Sequence, residues 1–373
     1  MTVEGVRRRR PDGVDCINVC TYNNDPVSGG PLDPMRSKSR SLLRYPGGKG
    51  RFAPLISEIL RLNNIRPSVF AEPFCGGAGV SLALLEAGLV DQIAINDADP
   101  LVAALWLCVF GPEFQWLSDQ VLSIPLTLDE WHRQRALTPV REREAALKCL
   151  YLNRTSFNGI LIKSGPVGGK TQSRRTLAAR FNRERLAARI IDLHRHADRV
   201  NVSNQDWQKF CRRIIRRSGA FLYLDPPYFH RAEKLYAHYF GETEHRRLRD
   251  ALCRLDAPWL LSYDDAREVR GLYDARGLAV RVIDKPYSTH PRGGESTVGR
   301  EVLYSNLPTL PTKDCAQPRF RGFTILSGEE AACRNPRESA LRGSPDFSAR
   351  QSDFPLPETR HAPCAPDPKR DCP

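Results

Sequence analysis

Four apolar residues, Phe221-Leu222-Tyr223-Leu224, run directly into Asp225-Pro226-Pro227-Tyr228, and this junction constrains the fold more than any other stretch of the chain. A short apolar run rich in aromatics and bounded by proline is a strand signal. The run predicts a buried strand stopped by Pro226 and Pro227, which cannot donate to a sheet and bias the residue before each toward extended backbone. Asp225 and Tyr228 then stand at the strand's carboxyl end, where open α/β sheets bind ligands. A carboxylate and a free proline carbonyl can accept both hydrogens of an amino group, and a neighbouring phenol ring offers a face to a flat heterocycle. An exocyclic amine on a base fits. So does a plain strand-ending turn, with Asp as turn residue and Tyr as surface cover.

Upstream, Ser68-Val69-Phe70-Ala71-Glu72 leads into Pro73-Phe74-Cys75-Gly76-Gly77-Ala78-Gly79 and then the apolar helical face of Leu82, Leu84 and Leu85. Strand, glycine-rich turn and helix in that order build a nucleotide-type site, because glycines let backbone approach a ligand. About 25 positions after Glu72, the short strand Ile93-Ala94-Ile95-Asn96 ends in Asp97, the place of a ribose-binding carboxylate in such folds. Gly76-Gly77-x-Gly79 departs from the dinucleotide fingerprint, so a different adenosine-containing cofactor is implied. Glu72, Phe74, Gly76, Gly77, Gly79 and Asp97 are the candidate cofactor-binding residues of this loop. Before it, Arg44-Tyr45-Pro46-Gly47-Gly48-Lys49 opens a helical pattern. Such a turn presents backbone N–H groups and one cation to a carboxylate or phosphate, and reads equally as a surface turn.

A net charge of +13 over 373 residues favours a polyanionic partner, nucleic acid being the usual one. The charge is uneven: residues 163–195 carry nine basic residues, Lys163, Lys170, Arg174 and Arg175 among them, against two acids. Cations serve phosphates while neighbouring amides and aromatics serve bases, although a solvated helix face has the same composition. The 11 cysteines form no C-x-x-C pair, and Cys16 with Cys20 lacks a partner pair, so neither a disulfide framework nor a metal site is expected. Free thiols suit a reducing cytoplasm. No run approaches about 18 apolar residues, so no membrane span is expected.

Alternating strand and helix signals predict an α/β fold, a doubly wound sheet with a mainly helical insertion over residues 105–200. Further strands are expected near residues 200–203, 259–263, 280–283 and 301–306, with a turn at Asp206-Trp207 after the first and a polar loop over 285–299. A helix over 142–152 is expected to end in a polar and aromatic turn over 151–160. Residues 1–40, with Arg7-Arg8-Arg9-Arg10, read as a flexible basic arm. Residues 308–373 read as a disordered tail, 10 of the 29 prolines falling in 311–373.

The Gly-Gly-Lys turn, the Glu-Pro-Phe-Cys-Gly-Gly-Ala-Gly loop with Asp97, the stretch Tyr151-Leu152-Asn153-Arg154-Thr155-Ser156-Phe157-Asn158-Gly159 and Asp225-Pro226-Pro227-Tyr228 occur in one order. Together they resemble the Dam-like DNA adenine-N6 methyltransferases over residues 41–307. The resemblance implies a Rossmann-like methyltransferase sheet, S-adenosylmethionine as methyl donor, adenine in double-stranded DNA as acceptor, and site-specific methylation. It places Tyr45, Lys49, Asp97 and Asp225 at the cofactor, Tyr45 standing where relatives often carry tryptophan. It assigns Asn153, Arg154, Phe157 and Asn158 to the DNA-binding insertion, and catalysis to Asp225, Pro226, Pro227 and Tyr228. Tyr228 would stack a flipped base while Asp225 and the Pro226 carbonyl hold its amine, with no metal. A monomer in the cytoplasm is expected, with a cognate restriction endonuclease as a candidate partner. Rival readings are a methyltransferase acting on RNA or on a protein glutamine amide, and a non-catalytic DNA-binding regulator of the same fold.

Overall fold

The computed structural model describes residues 41–44, 48–161, 163–172, 176–229, 240–286, 298–312 and 324–326. Its strands are β1 (Val69–Glu72), β2 (Ile93–Asn96), β3 (Val200–Ser203), β4 (Ala220–Leu224), β5 (Trp259–Asp264), β6 (Ala279–Pro286), β7 (Val298–Ser305) and β8 (Thr324–Ile325). They form one sheet in the order β3-β2-β1-β4-β5-β7-β6-β8. The first five are parallel, β7 runs antiparallel between β5 and β6, and β8 pairs antiparallel with β6. The order reverses between β1 and β4, the switch point at which open α/β sheets leave a crevice at their carboxyl ends. This is the α/β, Rossmann-like architecture expected.

The central strands read as unbroken apolar runs because both faces of the sheet are covered. Residues alternate sides along each strand. In β1 and β4, Phe70, Phe221 and Tyr223 point into one core, while Val69, Ala71, Leu222 and Leu224 point into the other. Phe70 lies opposite Phe221 in register, and their rings stack with centroids 5.6 Å apart. The strand that ends in Asp225 is therefore anchored on two sides, which fixes where its carboxyl end emerges.

The described α-helices are α1 (Ala53–Leu62), α2 (Gly79–Glu86), α3 (Pro100–Phe110), α4 (Phe114–Ser123), α5 (Leu128–Ala136), α6 (Glu142–Thr155), α7 (Arg183–His194), α8 (Trp207–Ile214), α9 (Glu242–Cys253) and α10 (Arg267–Tyr273). Helices α3 to α7 lie between β2 and β3. Helices α3, α5 and α7 start on side-chain caps: Asp99 accepts from the Leu101 N–H, Thr127 from Glu130 and Asn182 from Arg185.

Four local expectations change. Helix α6 continues through Asn153, Arg154 and Thr155 rather than turning there. Asp206 and Trp207 start a helix instead of following a strand as a turn, because Asp206 accepts from the N–H groups of Gln208 and Lys209. The β6 and β7 ladder reaches Pro286 opposite Val298, taking residues from both ends of the expected polar loop. The tail expected to be disordered supplies β8: Ile325, paired with Ile283, is buried in the same core as Leu307 and Leu310. A two-residue edge strand in proline-rich sequence carries too few apolar positions to show a period. The expected arm over residues 1–40 lies outside the described residues.

Candidate active site

Each of the four central parallel strands delivers an acid to the crevice. Glu72 ends β1, Asp97 follows β2, Asp225 follows β4 and Asp264 ends β5. Carboxylates gathered at a sheet's carboxyl edge favour a cation.

Lys49 is the cation the chain itself supplies. It begins a short 3-10 turn, Lys49–Phe52, that leads into α1. Its ammonium donates to both Asp225 oxygens, Oδ1 at 2.8 Å and Oδ2 at 3.0 Å, and to the Tyr228 hydroxyl at 2.7 Å. Glu301 Oε2 lies 3.6 Å away, and Glu301 Oε1 accepts from the Tyr228 hydroxyl at 3.1 Å. Burial works against the Lys49 charge, but Asp225 and Glu301 outweigh it and raise its pKa well above the usual lysine range. The ammonium is 4.9 Å from the Tyr228 ring centroid and 2.7 Å from its hydroxyl, so it lies off the hydroxyl edge and does not cover the ring's centre. Asp225 Oδ1 also lies 3.2 Å from Ser262 Oγ, itself 3.0 Å from the Tyr223 hydroxyl. Tyr223 can donate to Ser262, which frees the Ser262 proton for Asp225.

The glycine loop packs directly on this lysine turn. A Cβ on Gly79 would stand 3.0 Å from Gly50 Cα, so bare backbone at both positions lets the two turns touch. Asp97 braces the loop: Oδ2 accepts from the Gly76 N–H at 2.8 Å and Oδ1 from Asp99 at 2.9 Å. Trp106 donates its ring N–H to the Gly76 carbonyl. Asn96, buried at the end of β2, donates to the Pro73 and Gln205 carbonyls and accepts from Ser203 and Gln205, tying three strand ends together. Glu72 accepts from the Ser81 N–H within α2. Burial pushes its carboxyl up to about 8 against the pull of that N–H. Burial likewise raises Asp97 to about 7, against the Asp99 and Gly76 amides.

The donor set suits a ligand that carries both charges and a flat base. Asp225 is an anion matched to a cationic group, Glu72 and Asp97 are acids that burial biases toward the neutral form, and Lys49 is a cation matched to a carboxylate. Phe74 lies beside Trp207 and Phe240, with centroids 6.2 Å and 5.5 Å away, and such a cluster suits a flat base. Trp207 and Phe240 were not singled out in the sequence, nor were Glu301, Ser262 and Asn96. Glu301 left one signal, an acid opening the otherwise apolar strand segment Glu301-Val302-Leu303-Tyr304.

The nucleic-acid candidates divide. Asn153 is 1% exposed. Its Oδ1 accepts from the Arg44 N–H at 2.7 Å, and its Nδ2 donates to the Arg44 and Gly159 carbonyls. Arg154 donates to the carbonyls of Leu42 and Ser41, and burial, then Arg44 and Arg185, lowers it to about 10. Both side chains are thus turned inward, clamping the segment that enters the lysine turn, instead of facing a duplex as expected. A polar residue in the last turn of a helix looks the same in sequence whether it faces out or in. Phe157, 62% exposed, and Asn158, at φ +56°, do face out. They begin a loop closed by the Ser156–Pro166 bridge and by the Phe157 N–H on the Gly165 carbonyl. Lys163 and Lys170 are exposed nearby in sequence. In α7, Arg183 caps the end of α4 through the Val121, Leu122 and Ile124 carbonyls, and Arg189 pairs with Glu86. Tyr45, Arg174 and Arg175 lie outside the described residues.

Among the described residues, no group of three or more His, Cys, Asp or Glu is placed to hold a metal ion, and no single helix is long and apolar enough to cross a membrane. Residues 45–285, well over half of the chain, match the family model of the D12 class N6 adenine-specific DNA methyltransferase.

Proposed function

The chain belongs to the D12 class of N6 adenine-specific DNA methyltransferases, and from that premise we propose that it transfers the methyl group of S-adenosylmethionine to a flipped adenine held by Asp225, Pro226, Pro227 and Tyr228. Adenine-N6 methylation of DNA is the family's activity. The observation that carries the site assignment is the meeting of Asp225, Tyr228 and Lys49 within hydrogen-bond distance at the sheet's switch point.

An adenine amine inside a duplex is inaccessible, so the base must leave the stack, at a cost of a few kcal/mol. Tyr228 presents its ring to the extruded base. Asp225 and the Pro226 carbonyl accept the two amine hydrogens, which leaves the nitrogen lone pair aimed across the crevice. Pro226 and Pro227 hold that carbonyl without backbone N–H groups that could compete for it. When bound, S-adenosylmethionine supplies an electrophilic methyl carbon on a sulfonium. Glu72, Phe74, Asp97 and the Gly76, Gly77 and Gly79 loop would hold it, together with Lys49 and Tyr45. Positioning and preset electrostatics carry the rate.

On the DNA side, Phe157, Asn158, Lys163 and Lys170 form the contact surface of a target-recognition insertion over residues 105–200, to which the sequence also assigns Arg174 and Arg175. The enzyme acts as a cytoplasmic monomer on double-stranded DNA, and its methylation is site-specific, as protection from a cognate restriction endonuclease would require. The test is labelled methyl transfer from S-adenosylmethionine to duplex DNA, RNA and protein, with digestion of the product. Label in N6-methyladenine from DNA is expected; label in RNA or protein instead, or no calorimetric binding of S-adenosylmethionine, would overturn the proposal.

A further inference from the structure

Glu301 has no part in the reaction as described above, yet its carboxylate is buried within the same cluster of side chains. It sits on β7, opposite Asp264 of β5, so the antiparallel strand rather than any loop delivers it. It is 0% exposed, and a carboxylate is costly to bury without a partner. Oε1 accepts the Tyr228 hydroxyl at 3.1 Å, and Oε2 stands 3.6 Å from Lys49 Nζ. The Tyr228 hydroxyl in turn accepts from Lys49 at 2.7 Å. One oxygen thus accepts a hydrogen bond from a cation and donates one to an anion, which fixes the hydroxyl at both ends.

Tyr228 follows two prolines beyond the end of β4 and lies outside the described strands. The hydroxyl is its polar handle. From this geometry we infer that Glu301 is a positioning residue of the methyl-transfer site: it fixes the Tyr228 ring, through the hydroxyl, at the angle needed to stack the extruded adenine. Lys49 alone cannot set that angle, because it is shared with both oxygens of Asp225. β7 is a rigid support, its flanking Val302 buried and its strand paired on both sides. The inference rests on the proposed role of Tyr228.

The test is a double-mutant cycle on the full chain with Glu301→Ala, Tyr228→Phe and the pair, using the duplex that methylation-detecting sequencing identifies. In the wild-type background, Glu301→Ala should lower kcat about 10- to 100-fold, the scale of a hydrogen bond to a charged group. KM for DNA should change less than about threefold, because phosphate contacts away from the flipped base carry most of the affinity. In the Tyr228→Phe background, which has no hydroxyl to hold, the same substitution should cost less than about threefold. Glu301→Gln, which keeps an acceptor for the hydroxyl, should fall between wild type and alanine. A second readout needs no methyl donor: 2-aminopurine at the target position should be quenched by stacking in wild type and brighter in Glu301→Ala. Wild-type kcat in Glu301→Ala, or an equal fold loss in both backgrounds, would overturn the inference. Activity insensitive to Tyr228→Ala and Asp225→Ala would instead remove the site assignment beneath it.

Discussion

Lys49 and Asp225, 176 positions apart in the chain, are joined by two hydrogen bonds of 2.8 and 3.0 Å at the carboxyl edge of the sheet. The contact brings the turn before α1 to the end of β4 and balances the buried Lys49 ammonium with a half-buried carboxylate. Lys49→Met would leave Asp225 and Glu301 facing each other with no cation between them. Breaking a buried pair in this way costs about 3 to 5 kcal/mol. A fall in the urea midpoint is expected, with part of it recovered by adding Glu301→Gln; an unchanged midpoint would contradict the charge balance described.

Asn153 and Phe157 should separate cleanly although only a few positions divide them. Asn153→Ala strands the Arg44 N–H and the Arg44 and Gly159 carbonyls, and about 2 to 3 kcal/mol of stability should be lost. Phe157→Ala removes an exposed ring and should leave stability within about 0.5 kcal/mol. Its duplex affinity should fall roughly 5- to 100-fold if the ring stacks on a base. Denaturation and DNA-binding titrations of the two variants check both outcomes.

Glu72 predicts a pH dependence. Its folded pKa, raised from 4.5 to about 8 chiefly by burial, means the native state keeps a proton that the unfolded chain releases. The group's contribution is therefore fully present below about pH 4.5 and is lost as pH rises toward 8. Glu72→Gln cannot lose a proton and escapes that loss. The melting temperature of the variant, relative to wild type and without cofactor, should rise progressively from pH 5 to pH 8; a constant difference would contradict the raised pKa.

Much of the fold was legible from the chain because its strands are apolar on both faces. Phe70, Phe221 and Leu222 belong to runs whose ends are marked by Glu-Pro and Asp-Pro-Pro, so strand, direction and carboxyl end could be read together. The candidate site was legible where one short motif holds all its members, as in Asp225 to Tyr228. It was not legible where a member arrives on a distant strand: Ser262 meets Asp225, and Glu301 meets Tyr228, only through the β4-β5-β7 pairing, which no local pattern encodes. Asn153 shows the converse limit. Its neighbours predicted a polar and aromatic turn, but the backbone of residues 41–44 lies across that helix end and makes it an interior position.

The direct test of the account is methyl transfer by Asp225→Ala on the recognition duplex, measured with DNA affinity in the same preparation. The carboxylate is assigned to the amine and not to the phosphates, so affinity should stay within about threefold while turnover falls at least about 100-fold. Turnover near the wild-type rate would contradict the assignment of Asp225 as the group that holds the adenine amine.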